Sequence, residues 1–161
     1  MLPIELKLLL LIIIANGAPV VAAAVCGAWG NHPVDGGRAL ADGRRWLGDS
    51  KTWRGVIAAA LAAGLGAVLF GLSAWIGGVI GMAAMIGDLL SSFVKRRLGV
   101  PTSGMALGLD QIPEALLPLL AVAGEFALTW PAIGGTVAGF IVLELTLSPF
   151  FYWLGVRNRP Y

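Results

Sequence analysis

From Gly55 to Gly87 the chain carries no charged residue, and Asp88 follows at once. A helix that crosses a bilayer uses about 20 apolar residues. The run is therefore too long for one crossing, and Gly71, Ser73, Gly77 and Gly78 offer places to turn. It reads as two helices, 55–71 and 74–94. Comparable apolar stretches at 4–26, 112–129 and 132–154 bring the count to five. With 58% hydrophobic and 12% charged residues among 161, and a mean hydropathy of +0.85, the chain lies far from the composition of soluble domains. The expectation is an all-α, polytopic integral membrane protein, one membrane-embedded domain over residues 1–161. The first segment reads as a retained span. Ala22, Ala23 and Ala24 resemble a cleavage site, but a single Lys7, a long apolar run and Val25 ahead of Cys26 argue against a leader.

The basic residues orient this arrangement. Arg38, Arg44, Arg45, Lys51 and Arg54 fall between the first two spans, Lys95, Arg96 and Arg97 between the third and fourth, and Arg157 and Arg159 after the fifth, whereas Lys7 stands apart. Basic loops stay on the cytoplasmic side, so loops 27–54 and 95–111 and the C-terminus are placed in the cytoplasm and the N-terminus outside. The outer connections, at 71–73 and 129–131, are too short to carry chemistry. Function belongs to the cytoplasmic face.

Asp88 ends the apolar run, and an ionisable group at such a depth is a candidate for function. On a helix Asp88, Ser91, Ser92 and Lys95 share one face, which suits a cation, phosphates or both. The two serines can instead bond back to their own helix. Asp110 has two readings: an N-cap of the fourth span, or a partner of Asp88 in one Mg²⁺ site built on hard oxygen ligands. The loop 27–54 is rich in glycine and charge, a composition that brings backbone N–H groups close to an anion or simply makes a solvated loop. In it Asp35, Asp42 and Asp49 can position an arginine, touch a nucleoside, or cap a turn.

Within the spans, Asn16, Gly17 and Pro19 predict a bend or an opening of the first helix. Glu144 lies near the middle of the fifth span, with Asn16 at similar depth as a possible partner, and Glu125 near the outer end of the fourth. Gly77 with Gly81, and Gly135 with Gly139, have the spacing of close helix contacts and leave room for a homodimer. Cys26 reads as packing at a helix end; one cysteine excludes an intrachain disulfide and a thiolate metal site, and His32 alone cannot form an imidazole cluster.

Gly87-Asp88-Leu89, Ser92, Lys95-Arg96 and the distal Asp110 resemble the signature of CDP-diacylglycerol synthases. The bacterial form carries a longer stretch before the distal acid, which residues 99–109 replace here. The short chain is more similar to the archaeal branch, the CDP-archaeol synthase family. The resemblance is carried by Asn16-Gly17-Ala18-Pro19, Pro33 to Gly37, Asp42-Gly43-Arg44-Arg45, Gly48 to Gly55, Ser92 to Arg97, and Leu109-Asp110-Gln111. It implies transfer of the cytidylyl group of CTP to the phosphate of 2,3-bis-O-geranylgeranylglycerol phosphate, with Mg²⁺ as cofactor and membrane lipids, not nucleic acid, as surroundings. The resemblance assigns catalysis to Asp88, Asp110, Lys95 and Arg96, with the metal on Asp88 and Asp110. Substrate binding falls to Asn16, Asp35, Arg38, Asp42 and Arg44, and further to Lys51, Thr52, Arg54, Ser92 and Arg97.

Three other readings compete. A CDP-alcohol phosphotransferase needs Asp-Gly followed by Ala-Arg, and Asp42-Gly43-Arg44-Arg45 breaks that pattern. A small anion or lipid-phosphate transporter accounts for basic loops and intramembrane acids, yet no inverted repeat is visible. A scaffold needs none of the aligned acids.

Overall fold

A computed structural model describes residues 2–101, 104 and 106–153. The end of the fifth span at 154, Arg157, Arg159 and the placement of the C-terminus lie outside the described residues. Five helices follow in order: α1 (Ile4–Cys26), α2 (Trp53–Leu69), α3 (Ala74–Arg97), α4 (Gln111–Val122) and α5 (Trp130–Trp153). Among the described residues there is no strand, only isolated bridges between Pro33 and Thr52 and between Ala39 and Arg45.

The long apolar run divides where expected. After Leu69 the chain turns through Gly71, whose φ of 73° suits glycine, and Ser73 opens α3 by accepting a hydrogen bond from the Trp75 N–H. α1 runs unbroken through Pro19, so the expected opening is absent. Proline costs this helix one backbone bond, and its ring packs at the N-terminus of α2, where a β-carbon on Gly55 would stand 3.2 Å from the Pro19 Cβ.

α4 is shorter than the span expected at 112–129. It has 12 residues and ends at Val122, a rise of about 18 Å where the hydrocarbon core is about 30 Å thick. Beyond it Ala127 takes a φ of 47° and the Leu128 N–H bonds back to the Ala123 carbonyl, which closes a turn and leaves Glu125 exposed outside the helix.

α3 is the central element, packed against α1, α2 and α4. Its glycines explain how. A β-carbon on Gly77 would overlap the Ala63 carbonyl, and one on Gly81 would stand 2.6 Å from the Ala59 carbonyl oxygen, so α2 and α3 touch backbone to backbone as the small-residue spacing predicts. The second glycine pair behaves differently. Gly135 faces open space and Gly139 meets only the Leu9 side chain, at 3.5 Å, so this pair does not bring helices together.

α1 and α3 are long and apolar enough to cross a membrane. Leu61, Leu65 and Leu69 of α2 are exposed, an outward surface suited to lipid and not to water. Exposed tryptophans mark both ends of the bundle: Trp75 and Trp130 at one, Trp29 and Trp53 at the other. Amphipathic rings at two levels are the usual anchors at membrane interfaces.

Candidate active site

Both loops meet at the end of the bundle where α1 and α3 finish and α2 and α4 begin. The first loop is shaped by its own acids. Asp42 accepts from the Arg44 N–H at 3.0 Å and Gly43 takes a φ of 73°, forming the tip of a small hairpin. Asp35 is buried and fully occupied. Its oxygens accept from Arg45 Nη2 at 2.7 Å and Nε at 3.2 Å, and from the N–H groups of Gly37, Leu47 and Gly48 at 3.0, 3.1 and 3.1 Å. Burial alone would push this carboxyl up; Arg45 and the three N–H groups outweigh it and hold Asp35 well below the usual carboxylate range. It organises the loop and leaves no lone pair for a nucleotide.

A depressed carboxyl contributes stability above its unfolded value of about 3.9, lost as pH falls through the lower folded value. Amide protection in residues 35–48 is therefore expected to stay constant from neutral pH down to about 4. Asp35→Asn should lose that protection at neutral pH while α2 and α3 keep theirs. Hydrogen exchange checks this, and unchanged loop protection in the variant would contradict it.

Several basic residues expected on phosphate are engaged with the fold. Arg44 Nη1 donates to the carbonyls of Arg96 and Arg97 at 3.4 and 2.8 Å, neutralising the C-terminus of α3. Arg97 returns the contact, with Nη1 on Asp42 at 2.7 Å and Nη2 on the carbonyls of Arg44 and Arg45 at 3.2 and 2.6 Å. Arg54 Nη1 caps the end of α1 through the carbonyls of Gly27 and Trp29, at 2.8 and 2.5 Å. Thr52 is the N-cap of α2, accepting from Gly55. These four residues, with Asp35 and Asp42, hold the loops to the helix ends. Arg38 is exposed, and among the described residues its side chain has no partner.

The remaining polar groups converge between α3, α4 and the first loop. Val34 N–H bonds to the Lys51 carbonyl at 2.8 Å and Trp53 N–H to the His32 carbonyl at 3.1 Å, which fixes Lys51 just before α2. From there Nζ reaches both oxygens of Asp88, at 2.6 and 2.7 Å. Burial disfavours the ammonium, yet the charge and hydrogen bond of Asp88, with the fields of Glu114 and Asp110, outweigh it and raise Lys51 above the ordinary lysine value. Lys95 Nζ forms a second pair with Asp110, at 2.6 Å, and also donates to the Gly104 carbonyl at 3.0 Å. Arg96 donates to the Pro101 carbonyl at 3.1 Å.

Asp88 and Asp110 are thus each paired with a lysine from another element. Asp110 makes no side-chain cap on α4; its second oxygen accepts from the Ala106 N–H at 2.9 Å. Ser91 bonds back to the Gly87 carbonyl at 2.7 Å, and Ser92 beside it is buried. Asn16 donates to the Ile12 carbonyl of its own helix at 3.0 Å.

One acid was missed from the sequence. Glu114 is buried and within hydrogen-bonding contact of Asp88, with Glu144 of α5 also in its field. The available hint was its position four residues after Asp110, on the same helical face, with no basic residue nearby in the chain.

The fold and this site define a membrane protein, all-helical among the described residues, whose paired acids and bases gather at one end of the bundle. A solved structure of an intramembrane enzyme for archaeal membrane lipids biosynthesis matches it with a TM-score of 0.73 at 37% identity, covering 88% of this chain and 90% of that one. The family model CarS-like: CDP-archaeol synthase matches residues 1–78. The CDP-archaeol synthase of Aeropyrum pernix is 38% identical over 96% of this chain and 89% of its own length. That of Thermococcus onnurineus is 36% identical over 86% and 80%. The chain belongs to the CDP-archaeol synthase family.

Proposed function

We infer that the protein transfers the cytidylyl group of CTP to the phosphate of 2,3-bis-O-geranylgeranylglycerol phosphate, releasing pyrophosphate and leaving the CDP-activated ether lipid in the membrane. Membership of the family carries the reaction. The lysine-paired acids at the loop end of the bundle, Lys51 with Asp88 and Lys95 with Asp110, carry its location.

The nucleophile is a lipid phosphate oxygen, already an anion, so attack on the α-phosphorus of CTP needs alignment and charge neutralisation more than a base. The new oxygen–phosphorus bond forms as the bond to the β-phosphate bridge breaks, and pyrophosphate departs with the electron pair. Lys51, Lys95 and Arg96 supply positive charge at that place, lysine as a point charge and arginine as a fork. Arg38, exposed on the loop, meets the incoming triphosphate. Asn16 of α1 is assigned to the lipid phosphate, and Ser92 of α3 to the substrate side of the site.

The donor set suits Mg²⁺: Asp88 and Asp110 offer hard oxygens, and an ammonium already sits on Asp88 as a stand-in cation. Those residues would hold the ion, which when bound supplies neutralisation of the triphosphate and of the leaving pyrophosphate. The fuller reading has one domain over 1–161, five crossings, both loops and the C-terminus in the cytoplasm and the N-terminus outside. Lys7 supports the opposite location of the N-terminus, since its Nζ donates to the Phe70 carbonyl at 2.7 Å, at the end of α2 far from the loops. A transporter finds no support, because relatives matched over most of their length are synthases and the charged pairs lie at one end.

Purified protein offered geranylgeranyl ether and diacyl lipid phosphates side by side with labelled CTP should make a cytidylylated lipid, with the ether lipid preferred. Turnover of the diacyl lipid alone would overturn the substrate assignment.

A further inference from the structure

The placement of Glu114 has more behind it than a chance contact. Gly87, next to Asp88, lies so close to α4 that a β-carbon there would overlap the Pro113 carbonyl and stand 2.8 Å from the Glu114 nitrogen. The two acids are therefore brought together by a backbone-to-backbone approach of α3 and α4, not by flexible side chains. Enclosed carboxyls in contact are relieved by a shared proton or by a positive charge beside them. Here that charge is the Lys51 ammonium, bonded to both oxygens of Asp88 and drawn also by the field of Glu114. Lys51 belongs to the loop preceding α2, so it is a tethered cation that can leave without moving either helix. Asp110, the other carboxylate assigned to the ion above, is paired with Lys95 and the Ala106 N–H.

We propose that Glu114 is a further carboxylate of the cation cradle begun by Asp88, and that the divalent cation serving CTP enters this cradle in exchange for the Lys51 ammonium. This rests on the reading above that Asp88 is part of the cation site. A hard divalent ion is commonly held by one or two carboxylates, with waters and substrate phosphates filling the other positions. Asp88 and Glu114, from two helices fixed against each other, provide such a pair. Exchange would release Lys51 beside the incoming triphosphate, turning a placeholder into a phosphate ligand at the moment the nucleotide arrives.

The test is Mn²⁺ binding to the full-length protein in detergent, without nucleotide, followed by electron paramagnetic resonance. Glu114→Gln should weaken binding about 10- to 100-fold, the range found for groups adjoining metal ligands, and Glu114→Asp should recover part of it. Lys51→Met should bind Mn²⁺ more tightly than the unaltered protein, whereas Lys7→Met, the same change at the far end of the bundle, should not. Unaltered Mn²⁺ affinity in Glu114→Gln alongside lost binding in Asp88→Asn would overturn the proposal, as would weaker binding in Lys51→Met. Unaltered binding in Asp88→Asn would instead remove Asp88 from the cation site, and the reading beneath the proposal with it.

Discussion

Asp88→Asn is expected to reduce cytidylyl transfer by at least about 10²- to 10³-fold, the effect of losing one preorganised electrostatic group in other enzymes. The side chain keeps its shape but loses the charge that holds Lys51 at 2.6 and 2.7 Å. Lys51 is then left with an uncompensated charge in a site where its side chain is only 21% exposed, a situation that costs more than the pair itself contributes. The consequence is a displaced loop as well as a weakened cation site. Lysine held above its ordinary value contributes stability below the unfolded pKa of about 10.4, lost as pH rises through the higher folded value. The pair therefore persists across the physiological range, so turnover of the unaltered protein should not fall through loss of this pair between about pH 6 and 9. Turnover rates across that range, with thermal unfolding measured beside them, check both parts. Near-normal turnover in folded Asp88→Asn would show that this carboxylate is not in the reacting centre.

Gly87→Ala should be nearly as damaging although it removes no functional group. The added carbon would overlap the Pro113 carbonyl, and backbone cannot rotate out of the way as a side chain can. Overpacking of this kind costs typically about 1–3 kcal/mol. Here relief requires α3 and α4 to separate, which parts Asp88 from Glu114. The expected outcome is a lowered melting temperature together with loss of most turnover, whereas Gly78→Ala, where nothing lies within 4 Å, should leave both almost unchanged. If Gly87→Ala retained full turnover and stability, the close approach of α3 and α4 would not be what builds the site.

Much of the fold was legible because lipid-facing helices are written as uninterrupted apolar runs. α1 occupies the expected 4–26, and the split of the run from Gly55 falls at Gly71 and Ser73 as its turn residues suggest. α4 was misjudged in length, since apolar residues continue past Val122 into a turn that only backbone geometry reveals. Asp88 stood out by breaking an apolar run. Glu114 did not, because an acid in the first turn of a helix has an ordinary explanation in the helix dipole, and its contact with Asp88 depends on how α3 packs on α4. The arginines illustrate another limit. Arg44, Arg54 and Arg97 satisfy the positive-inside pattern whether they bind phosphate or cap a helix end, so sequence alone could not separate the two uses. Their carbonyl partners do.

The most direct measurement compares CTP labelled at the α-phosphate with CTP labelled at the γ-phosphate, using the ether lipid phosphate and Mg²⁺. Cytidylyl transfer places the α-label in the lipid and the γ-label in pyrophosphate. γ-label in the lipid, or no lipid labelling by folded protein from either form, would contradict the account.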